Sequence, residues 1–186
     1  MTRHARILAV ERSLLLVIDM QEGYRSNLHE EERTVEAAAR LLRAAGALGV
    51  PVVVTEQYPK GLGETRAEVA EAIPADAARF EKTSFSCLGA EGLEDHLHST
   101  GRDTIIVAGI ETHVCVSQTV HALLARGYAV QLPRDAVSAR FPLEDAAGWA
   151  KMTGSGAVPT SVEGVVFEWL GDAKHPEFKA VHKLVV

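Results

Sequence analysis

Short, almost unbroken apolar runs alternate along the chain with longer stretches whose apolar residues recur at helical spacing. Ser13 to Ile18 reads Ser-Leu-Leu-Leu-Val-Ile and ends at Asp19. A run without polar alternation fits a strand buried on both faces. Val52 to Thr55, Thr104 to Ala108 and Tyr128 to Leu132 repeat the pattern. Thr34 to Leu48 places Val35, Ala38, Leu41, Leu42 and Ala45 on one helical stripe, and Gly49 closes that helix. Further helices are predicted over Arg66 to Ala72, Leu93 to His98, about Thr112 to Arg126 with Gly127 as its stop, and Asp145 to Lys151. Residues 56 to 78 otherwise read as a loop punctuated by Pro59, Gly61 and Gly63. Phe80 to Thr83 is expected to be extended, and Gly164 to Leu170 to be a last strand.

Strands alternating with helices predict a parallel sheet covered on both faces, and right-handed crossovers order it. The expected fold is α/β, a three-layer α/β/α sandwich with a mainly parallel, Rossmann-like sheet of about six strands. The 186 residues suit a single domain spanning 1–186. Ligands of such sheets bind outside the carboxyl ends of the strands. Asp19 and the segment after Gly109 both fall at such ends.

Composition narrows the partners. The net charge is −6, no long Lys/Arg run occurs, and aromatic residues are 5%. These values speak against nucleic acid. No apolar stretch approaches the roughly 20 residues of a membrane helix. Ile7 to Val10 is too short for a signal-peptide core, so a cytoplasmic location is expected. The two cysteines, Cys87 and Cys115, form neither a disulfide framework nor a Cys-x-x-Cys pair, and both are expected reduced. The eight histidines show no metal-ligand spacing, and no metal or cofactor is predicted.

The chemistry concentrates in Gly109-Ile110-Glu111-Thr112-His113-Val114-Cys115-Val116. A strand ends, a turn follows and a helix begins, with Thr112 as its expected N-cap. Cys115 then lies in the first helical turn, where free N–H groups and the helix dipole favour a thiolate nucleophile. A buried cysteine packed as a small hydrophobe is the plain alternative. Asp19 could accept the thiol proton and return it to a leaving group, or be a turn residue. Lys82 could hold thiolate and carboxylate together, or be solvated.

Asp19 after the first strand, Lys82 before Thr-x-Phe-Ser, and Gly-Ile-x-Thr-x-x-Cys-Val together resemble the isochorismatase-like hydrolases. That superfamily includes nicotinamidases, N-carbamoylsarcosine amidases and ureidoacrylate hydrolases. The resemblance extends through Asp135-Ala136-Val137-Ser138 to Phe167-Glu168-Trp169-Leu170. It implies Asp19 as general base and acid, Lys82 as electrostatic partner and Cys115 as nucleophile. It also implies a cis peptide at Ile110–Glu111 and an oxyanion hole from the backbone N–H groups of Glu111 and Cys115. The implied activity is hydrolysis of a C–N bond, amide or ureide, in a small molecule. Vinyl ether hydrolysis of the isochorismate type, or a non-enzymatic or redox-sensing role on the same scaffold, are the alternatives. The resemblance further implies a homo-oligomer, for which Gly154-Ser155-Gly156-Ala157 could supply an interface.

The chain departs from the nicotinamidases. Their metal-binding Asp-x-His is replaced by Thr55-Glu56-Gln57-Tyr58-Pro59-Lys60-Gly61, which holds no histidine. That stretch resembles the isochorismatase-domain-containing branch instead. Gln57 and Tyr58 are candidates for the pocket mouth. Cys87 is expected to pack under the sheet edge, and His96 and His98 to be solvated. His113 is expected exposed or beside the site, and Asp135 to cap a turn. Phe141, Trp149 and Trp169 are expected in the core or an interface.

Overall fold

The computed structural model describes residues 4–186. Its sheet is parallel and contains β1 (Ser13–Ile18), β2 (Val52–Gln57), β3 (Ala78–Lys82), β4 (Thr104–Ile110), β5 (Ala129–Pro133), β6 (Val137–Ser138) and β7 (Val158–Thr160). The order is β3-β2-β1-β4-β5-β7, with β6 pairing the carboxyl end of β4. The helices are α1 (Glu31–Leu48), α2 (Pro59–Leu62), α3 (Ala67–Ala70), α4 (Leu93–Ser99), α5 (Ser117–Ala125), α6 (Pro142–Gly154), α7 (Val162–Leu170) and α8 (Phe178–His182).

The unbroken apolar runs are explained by two cores, one on each sheet face. Leu15, Val17, Val52, Val54, Ile106 and Ala108 pack with α1, α7 and Val181 of α8. Their chain neighbours Leu14, Leu16, Ile18, Val53, Ile105 and Val107 pack with Leu93 and Leu97 of α4, Val120 and Leu123 of α5, and Met152 of α6. Alternate side chains of one strand thus feed opposite layers.

Two expectations change. Gly164 to Leu170 is helical, within α7, and the last strand is the short β7. Val162, Val165, Val166, Trp169 and Leu170 are the buried positions of α7. Their spacing is that of a helix stripe, and it overrides the β-propensity of valine. The Ser161 hydroxyl starts the helix by accepting from the Gly164 N–H at 3.1 Å. Residues 59–62 also form one helical turn inside the expected loop.

Candidate active site

The register fixes where the chemistry sits. Ile18 aligns with Thr55 on one side and Gly109 on the other, and Gln57 aligns with Lys82. Asp19, Thr55 and Lys82 therefore meet at the carboxyl end of β1, β2 and β3. Gly109 makes the close approach possible. A Cβ there would stand 2.1 Å from the Ile18 carbonyl oxygen.

Asp19 is wholly buried, with a left-handed backbone at φ 55°. Its Oδ2 accepts from Lys82 Nζ at 2.6 Å and its Oδ1 from Thr55 Oγ1 at 2.8 Å. Lys82 Nζ also donates to Gln57 Oε1 at 2.7 Å and makes longer contacts, 3.3 Å each, to the carbonyls of Ser84 and Phe85. Every direction of the ammonium is occupied, which is what a buried lysine requires. The Cys115 thiol sits beside the Asp19 carboxylate, close enough for each to act on the other's proton. The structure thus brings Asp19, Lys82 and Cys115 into one buried group.

Charge in this group is distributed differently from the sequence expectation. Burial pushes the Cys115 thiol up to about 12, the Asp19 charge adds to it, and Lys82 pulls it back. Burial also raises Asp19 above its ordinary value, against the opposing pull of Lys82, Thr55 and Cys115. The burial of Cys115 favours the neutral thiol over a preformed thiolate. The helix-dipole argument loses because Cys115 is only 3% exposed and desolvation of its charged form is the larger effect.

The turn carrying Cys115 also differs in detail. Thr112–Val116 forms a π-helical turn before α5, with Glu111 at the N-cap position. Such turns occur often at functional sites. Thr112 is not the cap. Its hydroxyl donates to Asp145 Oδ1 of α6 at 2.6 Å, and Asp145 is paired with Arg134. Arg134 lies over the Trp149 ring, 5.0 Å from its centroid. Backbone packs on backbone here, since a Cβ on Gly148 would stand 2.7 Å from His113 Cα. Helix α6 is thereby clamped onto the Cys115 turn.

The Ile110–Glu111 peptide is cis. The Glu111 carboxylate is buried and accepts from both the backbone N–H and Nε of Arg140, each at 3.0 Å. Tyr24 faces the same group. Burial first, then the charges of Cys115, Glu111 and Asp19, push its phenol up to about 12.

Other candidates fall into place one by one. Gln57 is buried beside Lys82, its amide nitrogen donating to the Thr83 carbonyl at 2.8 Å, so it is a ligand of the lysine instead of a residue of the mouth. Tyr58 is exposed. Cys87 is buried in the core on the Cys115 side of the sheet. His98 is exposed, while half-buried His96 packs against Phe80. His113 is half-buried and its Nδ1 has no hydrogen-bond partner. Asp135 caps α7, accepting from the Val162 N–H at 2.9 Å. Trp169 is core and donates to Ser13 Oγ at 2.9 Å, Trp149 is half-buried, and Phe141 is exposed. Gly154, Ser155 and Gly156 are exposed. Among the described residues no group of three His, Cys, Asp or Glu side chains is arranged to hold a metal ion.

Known proteins share this fold. The isochorismatase domain model matches residues 13–164. The chain belongs to the isochorismatase family. Isochorismatase domain-containing protein 2 of Xenopus laevis is 41% identical over 174 residues, covering 94% of this chain and 83% of that protein. A solved structure of MAR1 ribonuclease from Caenorhabditis elegans superposes with a TM-score of 0.91 at 38% identity, covering 96% of this chain and 91% of the other. The YcaC gene product of Escherichia coli, described as an octameric hydrolase of unknown specificity, shares the fold with a TM-score of 0.86 at 21% identity, covering 98% and 97%. This chain accordingly has the isochorismatase-family hydrolase fold.

Sequence reasoning missed Thr55, Asp145, Tyr24 and Arg140, and gave Thr112 the role of a cap. Thr55 carried a signal, as a hydroxyl in an otherwise apolar strand. Asp145 reaches Thr112 across 33 residues and Arg140 reaches Glu111 across 29, separations that no local pattern encodes.

Proposed function

We propose that this isochorismatase-family protein is a cysteine hydrolase that cleaves a C–N bond, amide or ureide, in a small molecule. The observation that carries the reading is the buried Asp19 carboxylate, paired with the Lys82 ammonium at 2.6 Å and facing the Cys115 thiol. In the proposed cycle Asp19 takes the thiol proton as sulfur attacks the substrate carbonyl. The backbone N–H groups of Glu111 and Cys115 receive the oxyanion. Asp19 passes its proton to the departing amine or ammonia, leaving a thioester. Asp19 then deprotonates water, which releases the acid and restores the thiol. Lys82 keeps the site neutral whenever one of the two acids is ionised. A thiol held protonated suits this order, because the proton needed by a poor amine leaving group is already at hand.

A ribonuclease reading is raised by the similarity to the C. elegans protein. It is disfavoured here by a net charge of −6, and Lys82 and Arg140 are each already paired with a carboxylate, Asp19 and Glu111. Like YcaC, the protein would assemble as a homo-oligomer. Exposed Tyr58, Phe85, Phe141 and Leu143 supply apolar surface for such contacts. A cytoplasmic location would keep both thiols reduced.

The test is a panel of small amides, ureides, isochorismate and single-stranded RNA, run on the wild type and on Cys115→Ala. Turnover of a C–N substrate that disappears in the variant supports the reading. Pyruvate release from isochorismate, or RNA cleavage, that survives loss of Cys115 would overturn it.

A further inference from the structure

Next to the Asp19–Thr55 pair lies a second thiol that the proposed cycle does not use. Cys87 is wholly buried, and its Sγ is 3.5 Å from Thr55 Oγ1. Thr55 Oγ1 in turn is 2.8 Å from Asp19 Oδ1. The single hydroxyl hydrogen of Thr55 points at Asp19 Oδ1. The Thr55 oxygen then presents its lone pairs to Cys87, and the S–H is the donor in that contact. The direction of the chain is thereby fixed: Cys87 S–H to Thr55 oxygen, Thr55 O–H to Asp19. Donors in series polarise one another. The Cys87 end is itself held, because its backbone N–H donates to Thr119 Oγ1 at 2.9 Å. Thr119 lies one turn beyond Cys115 on α5, so the relay and the nucleophile hang from neighbouring turns of one chain segment.

We propose that Thr55, oriented by the Cys87 thiol, is a positioning residue that keeps Asp19 ionised and leaves its proton-accepting capacity for Cys115. The inference rests on the cysteine hydrolase reading and deepens it. The ionisable groups facing Asp19 are Lys82 from β3, Cys115 from the π-helical turn, Cys87 from the turn after β3, and Tyr24 from the segment after β1. Lys82 supplies the charge that offsets Asp19. It occupies only Oδ2, and Thr55 is the donor on Oδ1. Burial alone would raise Asp19 further, and a protonated Asp19 cannot take a proton from the thiol. The hydroxyl therefore adds to Lys82 in setting the acid limb of every step that begins with proton transfer from Cys115. This accounts for a polar side chain at 0% exposure at the end of an apolar strand.

Two readouts test it in the whole protein. The first is the pH profile of Cys115 alkylation by iodoacetamide, located by mass spectrometry. The second is the carboxyl titration of Asp19 by 13C NMR, assigned with Asp19→Asn. Thr55→Val is expected to move the acid limb and the Asp19 titration upward by about one to two pH units, the size of a hydrogen bond to a charged group. Thr55→Ser should restore both. Cys87→Ala should move both by less, and should have no further effect in a protein already carrying Thr55→Val. Unmoved profiles in folded Thr55→Val, or equal Cys87→Ala effects in both backgrounds, would overturn the relay. If Thr55→Val does not fold, Cys87→Ala alone decides by the same titration. An inert Cys115 with a shifted Asp19 titration would keep the relay and overturn the hydrolase reading instead.

Discussion

The two cysteines are a controlled comparison built into one molecule. Both are buried on the same side of the sheet, and both are pushed far above the ordinary thiol range, Cys115 to about 12 and Cys87 to about 11, with burial as the first cause in each case. Acidity does not distinguish them. What differs is the acceptor. The Cys115 thiol points at a carboxylate that a lysine holds in place, whereas the Cys87 thiol points at a hydroxyl whose own hydrogen is committed elsewhere. One can lose its proton within the site and the other cannot. A thiol becomes a nucleophile here through its proton acceptor, and the depressed acidity constant of many reactive cysteines is absent.

The largest expected effect breaks the comparison outright. Cys115→Ala should lower turnover of any substrate found by at least about a thousandfold, while Cys87→Ala leaves most of it. Steady-state kinetics on both variants check this, and comparable losses would mean that the acceptor is not what separates the thiols. Next comes the acceptor's partner. Lys82→Met leaves Asp19 buried without its ion pair, which should cost about 3–5 kcal/mol of stability by urea denaturation. Both acids should then bind their protons more tightly, slowing Cys115 alkylation at neutral pH at least about tenfold. In the wild type the sign is set by Asp19. Its raised value puts the acid limb of alkylation above the usual carboxylate range, and a limb at or below that range would show that Asp19 is not the acceptor.

Much of the fold and of the Asp19, Lys82 and Cys115 group was legible before any coordinates, and the acceptor of Cys87 was not. Asp19 ends the apolar run of β1 and Cys115 follows that of β4, and a parallel sheet brings such ends together, whereas Lys82 closes the mixed strand β3 and was found through the motif resemblance. The sheet itself was readable because continuous apolar runs have one simple use. The Gly164 to Leu170 region was misread because valine-rich stretches satisfy both strand propensity and a helix stripe, and α7 is settled by packing against α1. The thiolate was misjudged because a helix N-terminus is a local feature and desolvation is a property of the finished fold. Thr112 shows the same limit. It has the composition of a cap, yet Asp145, 33 residues away, claims its hydroxyl.

That claim sharpens the comparison from the side of the scaffold. Asp145→Ala strands the Thr112 hydroxyl and the Arg134 guanidinium together. Arg134 is partly exposed, so the loss should be about 1–3 kcal/mol, below that of a wholly buried pair. The Cys115 turn should loosen with it, detectable as faster amide hydrogen exchange over residues 112–116 and unchanged exchange around Cys87. Equal loosening at both turns would indicate a general loss of packing.

The smallest effect concerns the other thiol's support. Thr119 holds the Cys87 turn through a single neutral hydrogen bond to a backbone N–H. Thr119→Val keeps the shape and removes the acceptor, so about 1 kcal/mol is expected, plus the cost of an unpaired N–H. Because Thr119 and Cys115 share one helical segment, a merely mechanical link between the thiols would transmit the change to both. If the acceptor is what matters, Thr119→Val should quicken exchange at Cys87 and leave the Cys115 alkylation profile in place. The profile depends on Asp19, and the Thr55 hydroxyl still reaches Asp19 after the turn behind Cys87 has slackened. A Cys115 limb that moved as far as in Thr55→Val would show that the Cys87 turn, through its position, governs the carboxylate more strongly than the hydroxyl between them.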